Sequence, residues 1–179
     1  YETHGIPKKV QRIANFSKNL KRVRGLSRPL NFLFGNRLTG KILKKWLGIA
    51  PERSIPPLPK TTFRHWYTNR EPAAESSVHG TVFLFCDEFT NYLEPGIGIA
   101  AVELLEKLGF QVKMPIHNES GRSAISQGLL RSAQKHANEN VRQFRKLVGP
   151  NTPLIGIEPS AILTFRDEYP ALVDASLRD

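Results

Sequence analysis

From Gly80 onward the chain alternates short apolar runs with longer segments of helical period. Residues 81–86 (Thr-Val-Phe-Leu-Phe-Cys) form a continuous apolar run rich in β-formers, the pattern of a strand buried on both faces. Residues 97–108 place Ile99, Val102, Leu105 and Leu108 at helical spacing, and Gly109 follows as a stop. Residues 110–114 read as a second strand closed by Pro115. Residues 123–148 read as one long helix with Ile125, Leu129, Ala133, Ala137, Val141 and Phe144 inward, and residues 154–157 as a third strand stopped by Glu158-Pro159. Ser160 stands where an N-cap would start a last helix carrying Ile162, Leu163 and Phe165, which Tyr169-Pro170 ends or bends. The order is β-α-β-α-β-α. With crossovers this long, it predicts an α/β fold with a small parallel β-sheet and helices on both faces.

The preceding segment has a different pattern. Val10, Ile13, Phe16, Leu20 and Val23 recur at helical spacing among basic residues, predicting an amphipathic helix over residues 8–24 that Gly25 and Pro29 break. Residues 30–34 resume an apolar patch, and residues 39–47 predict a second short helix stopped by Gly48 and Pro51. Ile55-Pro56-Pro57-Leu58-Pro59 must run extended over a surface, because proline lacks the N–H and has a fixed φ. Phe63, Trp66 and Tyr67, at i, i+3 and i+4, suit docking on the globular part, and residues 68–79 read as a polar linker. The expected organisation is a basic amphipathic helical arm with a Pro-rich connector over 1–79 and the α/β domain over 80–179.

Charge sharpens this division. The net charge of +10 is split between +14 for residues 1–70 and −4 for residues 71–179. A segment so basic can face nucleic acid, an anionic membrane surface or an acidic neighbouring domain. Its aromatic residues follow an apolar rather than a basic-face pattern, and it carries no zinc spacing, helix-turn-helix signature or phosphate loop. Nucleic acid is therefore the disfavoured partner. An arm covering another domain of a longer polypeptide is the preferred reading, with peripheral membrane contact and self-association by exchange of the arm left open. No stretch is long and apolar enough to span a bilayer, and the first residues are unlike a signal peptide. The expectation is a piece of a cytoplasmic protein, with the inner face of a membrane as an alternative location. The single cysteine, Cys86, excludes an internal disulfide and is compatible with a reducing compartment.

Three polar runs follow the three strands: Asp87-Glu88-Phe89-Thr90-Asn91, Glu119-Ser120-Gly121-Arg122 and Glu158-Pro159-Ser160. Ligands of open α/β sheets sit outside the carboxyl ends of the strands. Asp87, Glu119, Ser120, Gly121, Arg122, Glu158 and Ser160 are accordingly the candidate pocket residues. Each also has a structural reading. Asp87 and Glu88 suit a helix N-terminus, Gly121 a positive φ, and Arg122 an ion pair with Glu119, Glu158 or Asp87. Asp167 and Glu168 suit local capping. His117 beside Glu119 would form a carboxylate–imidazole pair fit for acid–base work or a divalent metal, although no second histidine stands at ligand spacing.

The runs at residues 84–95 (LFCDEFTNYLEP), 119–130 (ESGRSAISQGLL) and 157–172 (IEPSAILTFRDEYPAL) resemble the cysteine-rich, CCG-type domain at the C-terminal end of FAD-linked oxidases fused to iron–sulfur modules. Such proteins act in D-lactate or glycolate oxidation. The Ile55–Pro59 run with Thr62-Phe63-Arg64-His65-Trp66 is similar to the connector between a ferredoxin-like module and that domain, so the resemblance covers roughly residues 40–175. It implies FAD and iron–sulfur clusters in the parent chain, with upstream FAD and ferredoxin-like domains as partners. The chain departs from the pattern at the thiolates. Glu119-Ser120-Gly121-Arg122-Ser123 stands where the family has Cys-Cys-Gly-Arg-Pro, and Ala161 replaces the last residue of Glu-Pro-Ser-Cys. Clusters are held mainly by cysteine sulfur. Glu119, Ser120 and Ala161 are thus degenerate ligand positions, and no cofactor is expected in this piece. Cys86 could supply one thiolate but reads as a buried small hydrophobe. The expected role is docking, assembly or a degenerate cofactor pocket within a 2-hydroxyacid oxidoreductase; the alternative is a non-catalytic module binding a small anion or a protein.

Overall fold

The computed structural model describes residues 5–47, 49–71 and 78–178. Three strands, β1 (Thr81–Phe85), β2 (Gln111–Lys113) and β3 (Leu154–Gly156), form a parallel sheet in the order β2-β1-β3. Val82 pairs with Val112, and Leu84 with Ile155. The connection from β1 runs outward to one edge, and the next crosses back past β1 to the other. Such an order reverses direction between β1 and β3, the place where open α/β sheets usually bind ligands.

The apolar run of β1 is buried on both faces because successive side chains alternate between them. Val82, Leu84 and Cys86 join Val112, Phe63 of α5 (Phe63–Asn69) and Val102 of α7 (Pro95–Lys107). Phe85 points the other way, to Phe144 of α9 (Leu130–Phe144) and Ala161 of α10 (Pro159–Ile162). The α/β class, the parallel sheet and the helices on both faces are those the pattern predicts.

Helix α5 is fastened to the sheet as well as packed on it. Tyr67 donates to the Val112 carbonyl at 2.7 Å. Arg70 makes two hydrogen bonds to Glu106 of α7, at 2.7 and 2.5 Å, and lies over the Tyr67 ring. The polar linker read over residues 68–79 therefore starts later, since Thr68 and Asn69 complete α5. Residues 72–77, and the stop read at Gly48, lie outside the described residues.

Several helix boundaries differ from the periodicity. Residues 8–24 hold two helices, α1 (Lys8–Ala14) and α2 (Phe16–Val23), parted at Asn15, whose backbone leaves helical geometry (φ −101°, ψ 24°) and whose side chain bonds the Gln11 carbonyl at 2.9 Å. Pro29 does not break a helix. It lies in the first turn of α3 (Ser27–Gly35), where its missing N–H is not needed. Helix α4 (Arg37–Leu47) starts two residues early, capped by Asn36, whose side chain accepts from the amides of Leu38 and Thr39. Residues 123–148 are not one helix. Gly128, at φ +71°, closes α8 (Arg122–Ser126), with Gly128 N–H to the Ile125 carbonyl and Leu129 N–H to the Ala124 carbonyl, both at 2.9 Å. Glu158, rather than Ser160, caps α10. Its carboxylate accepts from the Ser160 amide and hydroxyl, and Pro159 occupies the first helical position.

Two further short helices follow, α11 (Thr164–Asp167) and α12 (Tyr169–Leu172), of which α12 packs against α9. The arm rests on the α/β unit through α1 on α8 and α2 on α6 (Glu88–Tyr92), where Phe16 and Phe89 stack at 5.3 Å. Among the described residues no helix is long and apolar enough to cross a membrane.

Candidate functional site

The first strand end is consumed by helix capping. Asp87 is buried, and its carboxylate accepts from the amides of Phe89 and Thr90 and from the Thr90 hydroxyl. Such a cap satisfies donors that the first turn of α6 would otherwise leave orphaned. Glu88, the next residue, is also buried but reaches across to the loop after β2. It accepts from the Ser120 amide at 2.9 Å and the Ser120 hydroxyl at 2.7 Å. Burial pushes the Glu88 carboxyl above its usual range, and the Ser120 hydrogen bonds partly oppose this.

Ser120 is held from several sides. Its hydroxyl oxygen accepts from the Arg122 amide at 3.0 Å, and its carbonyl accepts from the Tyr169 hydroxyl at 2.8 Å. Asn140 of α9 donates to the Tyr169 oxygen and the Glu119 carbonyl, and accepts from the Asn118 amide. Gly121 turns at φ +77° beside α9, where a Cβ would meet His136 and Ala133 at 3.4–3.6 Å. Arg122 pairs with Glu168 at 2.5 Å rather than with the carboxylates expected from the sequence. Glu158 and Ser160 keep their side-chain hydrogen bonds between themselves. The fold thus joins the first two polar runs through Glu88 and Ser120 and leaves the third bonded locally.

His117 does not pair with Glu119. Its Nδ1 lies 2.6 Å from the Asn118 carbonyl, so it carries the proton, and Nε2 faces two donors, the Cys86 amide at 3.0 Å and Arg64 at 2.8 Å. Stacked on Phe85 at 4.3 Å, the ring is neutral, with burial lowering its pKa to about 4. Arg64 also donates to the Pro115 carbonyl and so ties α5 to the exit of β2. Burial lowers the pKa of His136, an effect the charge of Glu119 partly opposes, and its buried Nδ1 has no hydrogen-bond partner among the described residues. Sequence reading missed Arg64, Asn140, Tyr169 and His136. For Asn140 the signal available was a polar residue within the period of α9; Arg64 of α5 gave none.

The donors at the degenerate ligand positions do not suit an iron–sulfur cluster. Ser120 has no exposed surface and its hydroxyl is already both donor and acceptor. The Ala161 methyl is fully buried beside Phe85 and Phe144. Cys86 is buried, and desolvation pushes its thiol up to about 12, far from thiolate character. Among the described residues, no three His, Cys, Asp or Glu side chains converge as a metal site. Cys86 should accordingly resist a disulfide reagent in the native protein at mildly alkaline pH and react stoichiometrically after unfolding in urea. Rapid native labelling would contradict this burial.

A groove of about 940 Å³ lies between the arm and α6 and α8, and Phe89 and Arg122 of the first two polar runs are on its wall. Ile13, Phe16, Leu20, Ile49 and Phe89 line it, and Arg12 and Arg122 stand among them.

Comparison with known proteins narrows the possibilities. The chain is 27% identical to D-2-hydroxyglutarate dehydrogenase of Escherichia coli K12 over 149 residues, 79% of this chain and 15% of the relative. It resembles part of that enzyme. The Pseudomonas putida enzyme of the same name is 32% identical over 89 residues, 50% of this chain and 9% of its own length. The Haemophilus influenzae enzyme is 24% identical over 146 residues, 78% and 14%. No protein-family model matches the chain. No solved structure matches it either.

Proposed function

We propose that this chain is one portion of an oxidoreductase of D-2-hydroxyacids, with D-2-hydroxyglutarate the first substrate to test and D-lactate and glycolate the comparisons. The observation that carries this reading is the 149-residue similarity to the E. coli dehydrogenase. A flavin and iron–sulfur clusters held by other portions of the enzyme would supply the redox chemistry. Residues 1–179 serve docking and assembly and hold no cluster of their own. What supports that role is the filled strand-end region, with Glu88 against Ser120, Arg122 against Glu168 and Asp87 against its own helix. A small-anion pocket has less support, because the Arg122 guanidinium is already paired.

The test has two arms. Anaerobic reconstitution of the chain with iron and sulfide should give no broad visible absorption, and stoichiometric iron and sulfide would overturn the cluster-free reading. Dye reduction driven by D-2-hydroxyglutarate should be absent from the chain alone and present when it is combined with a flavin-bearing portion. A rate and an assembled mass that are the same without residues 1–179 would overturn the assembly role.

A further inference from the structure

Helices α3 and α4 form a hairpin that is fastened internally but bare on its outer face. The Thr39 hydroxyl donates to the Leu33 carbonyl at 2.6 Å. At Gly40 a Cβ would lie 2.7 Å from the Phe34 carbonyl oxygen, so glycine permits the close approach of the two helices. Asn31 exchanges two hydrogen bonds with the Leu58 backbone, at 2.7 and 2.8 Å, and ties the hairpin to the Pro-rich connector. On this support Phe32 is 74% exposed, Leu38 75% and Ile42 70%. Leu38 and Ile42, four residues apart, share one face of α4. Single exposed apolar residues need no explanation, but Leu38 and Ile42 are neighbours on one helix face, and Phe32 is bare on the helix paired with it. Residues 5–51 carry seven lysines and five arginines and no Asp or Glu, and exposed Arg37, Lys41 and Lys45 neighbour Leu38 and Ile42 along α4.

We propose that this hairpin face docks on an acidic surface with an apolar centre, carried by the flavin-bearing portion of the same dehydrogenase. The inference rests on the reading that the chain is one portion of such an enzyme. Under that reading most of the enzyme lies outside these residues, since they match 15% of the E. coli relative. The fastened hairpin also favours a protein over a bilayer. A preformed face loses little freedom on binding a complementary surface, whereas a lipid-bound helix presents a broad apolar stripe. Among the described side chains, α4 offers two strongly exposed apolar ones, Leu38 and Ile42, amid cations.

Residues 1–179 and the flavin-bearing portion, coexpressed, provide the test. Wild type should retain the flavin-bearing portion at low salt and release it as salt rises. The double variant L38D/I42D should bind at least about tenfold more weakly, as expected for central contacts, and K41E/K45E should weaken binding as well. Thermal unfolding of both variants should match wild type, because these side chains face solvent. Equal retention of wild type and L38D/I42D would overturn the proposal while leaving the dehydrogenase reading intact. Failure of wild type to assemble would overturn both. Flotation with phosphatidylglycerol vesicles that L38D/I42D abolishes, with assembly unchanged, would make this a membrane face and overturn the proposal.

Discussion

Phe63→Ala is expected to lower stability by about 3–5 kcal/mol, the range for removing a buried phenylalanine. That is a large share of the ~5–15 kcal/mol by which a domain is held folded. Phe63 has no exposed surface and packs among Val82, Leu84, Val102 and Val112, between α5 and the sheet. It also lies against Gly98 of α7, where a Cβ would meet the ring at 2.7 Å. Gly98→Ala should therefore destabilise wild type through overpacking and be better tolerated beside Phe63→Ala, a coupling that a double-mutant cycle measures. Urea denaturation followed by circular dichroism gives all four values. A loss below about 1 kcal/mol for Phe63→Ala would mean that α5 is not part of this core.

Glu88→Ala should cost about 2–4 kcal/mol, because it leaves the Ser120 amide and hydroxyl without their acceptor at ~1–3 kcal/mol for each buried orphan. A water entering the vacated space would bring the loss to the lower end. Glu88→Gln keeps one acceptor and the volume, and should cost about 1 kcal/mol or less at neutral pH. The two variants also separate packing from charge. Burial raises the folded carboxyl above the ordinary 4.5, so the folded state binds the proton more tightly than the unfolded chain. Between 4.5 and the raised folded value, the contribution of this group to stability must fall as pH rises and must recover on acidification. Glu88→Gln should remove that slope. Denaturation series at several pH values in that window provide the check, and parallel curves for wild type and Glu88→Gln would refute the buried carboxylate.

The uneven legibility of these features has a physical cause. The β1 run was readable because an apolar run of strand length has few alternatives, and α7 was readable because its period ends at a glycine that caps it. Residues 123–148 misled because their helical period continues across Gly128. Only the positive φ at that residue, with its two capping hydrogen bonds, reveals the break. Asp87 was recognisable as a helix-starting residue, since capping involves neighbours two and three positions away. The hydrogen bonds of Glu88 to Ser120 were not readable, since that partner is 32 residues distant. The alternatives considered for Arg122 omitted Glu168, which lies 46 residues on and arrives beside it only when α12 packs against α9.

By itself, then, the sequence determined the alternation of three strands with helical segments, the parallel sheet and the basic character of the arm. These follow from local periodicity, chain length between strands and residue charge. Only the tertiary structure decided that the three polar strand ends would not form one open pocket, with Glu88 turned onto Ser120, Tyr169 and Asn140 gripping the same loop, and Glu158 left with Ser160. It likewise decided which apolar residues of the arm would stay bare. Hydrogen bonds and packing between distant segments leave no periodic trace along a chain, and a buried carboxylate is stable only where the fold brings donors to it.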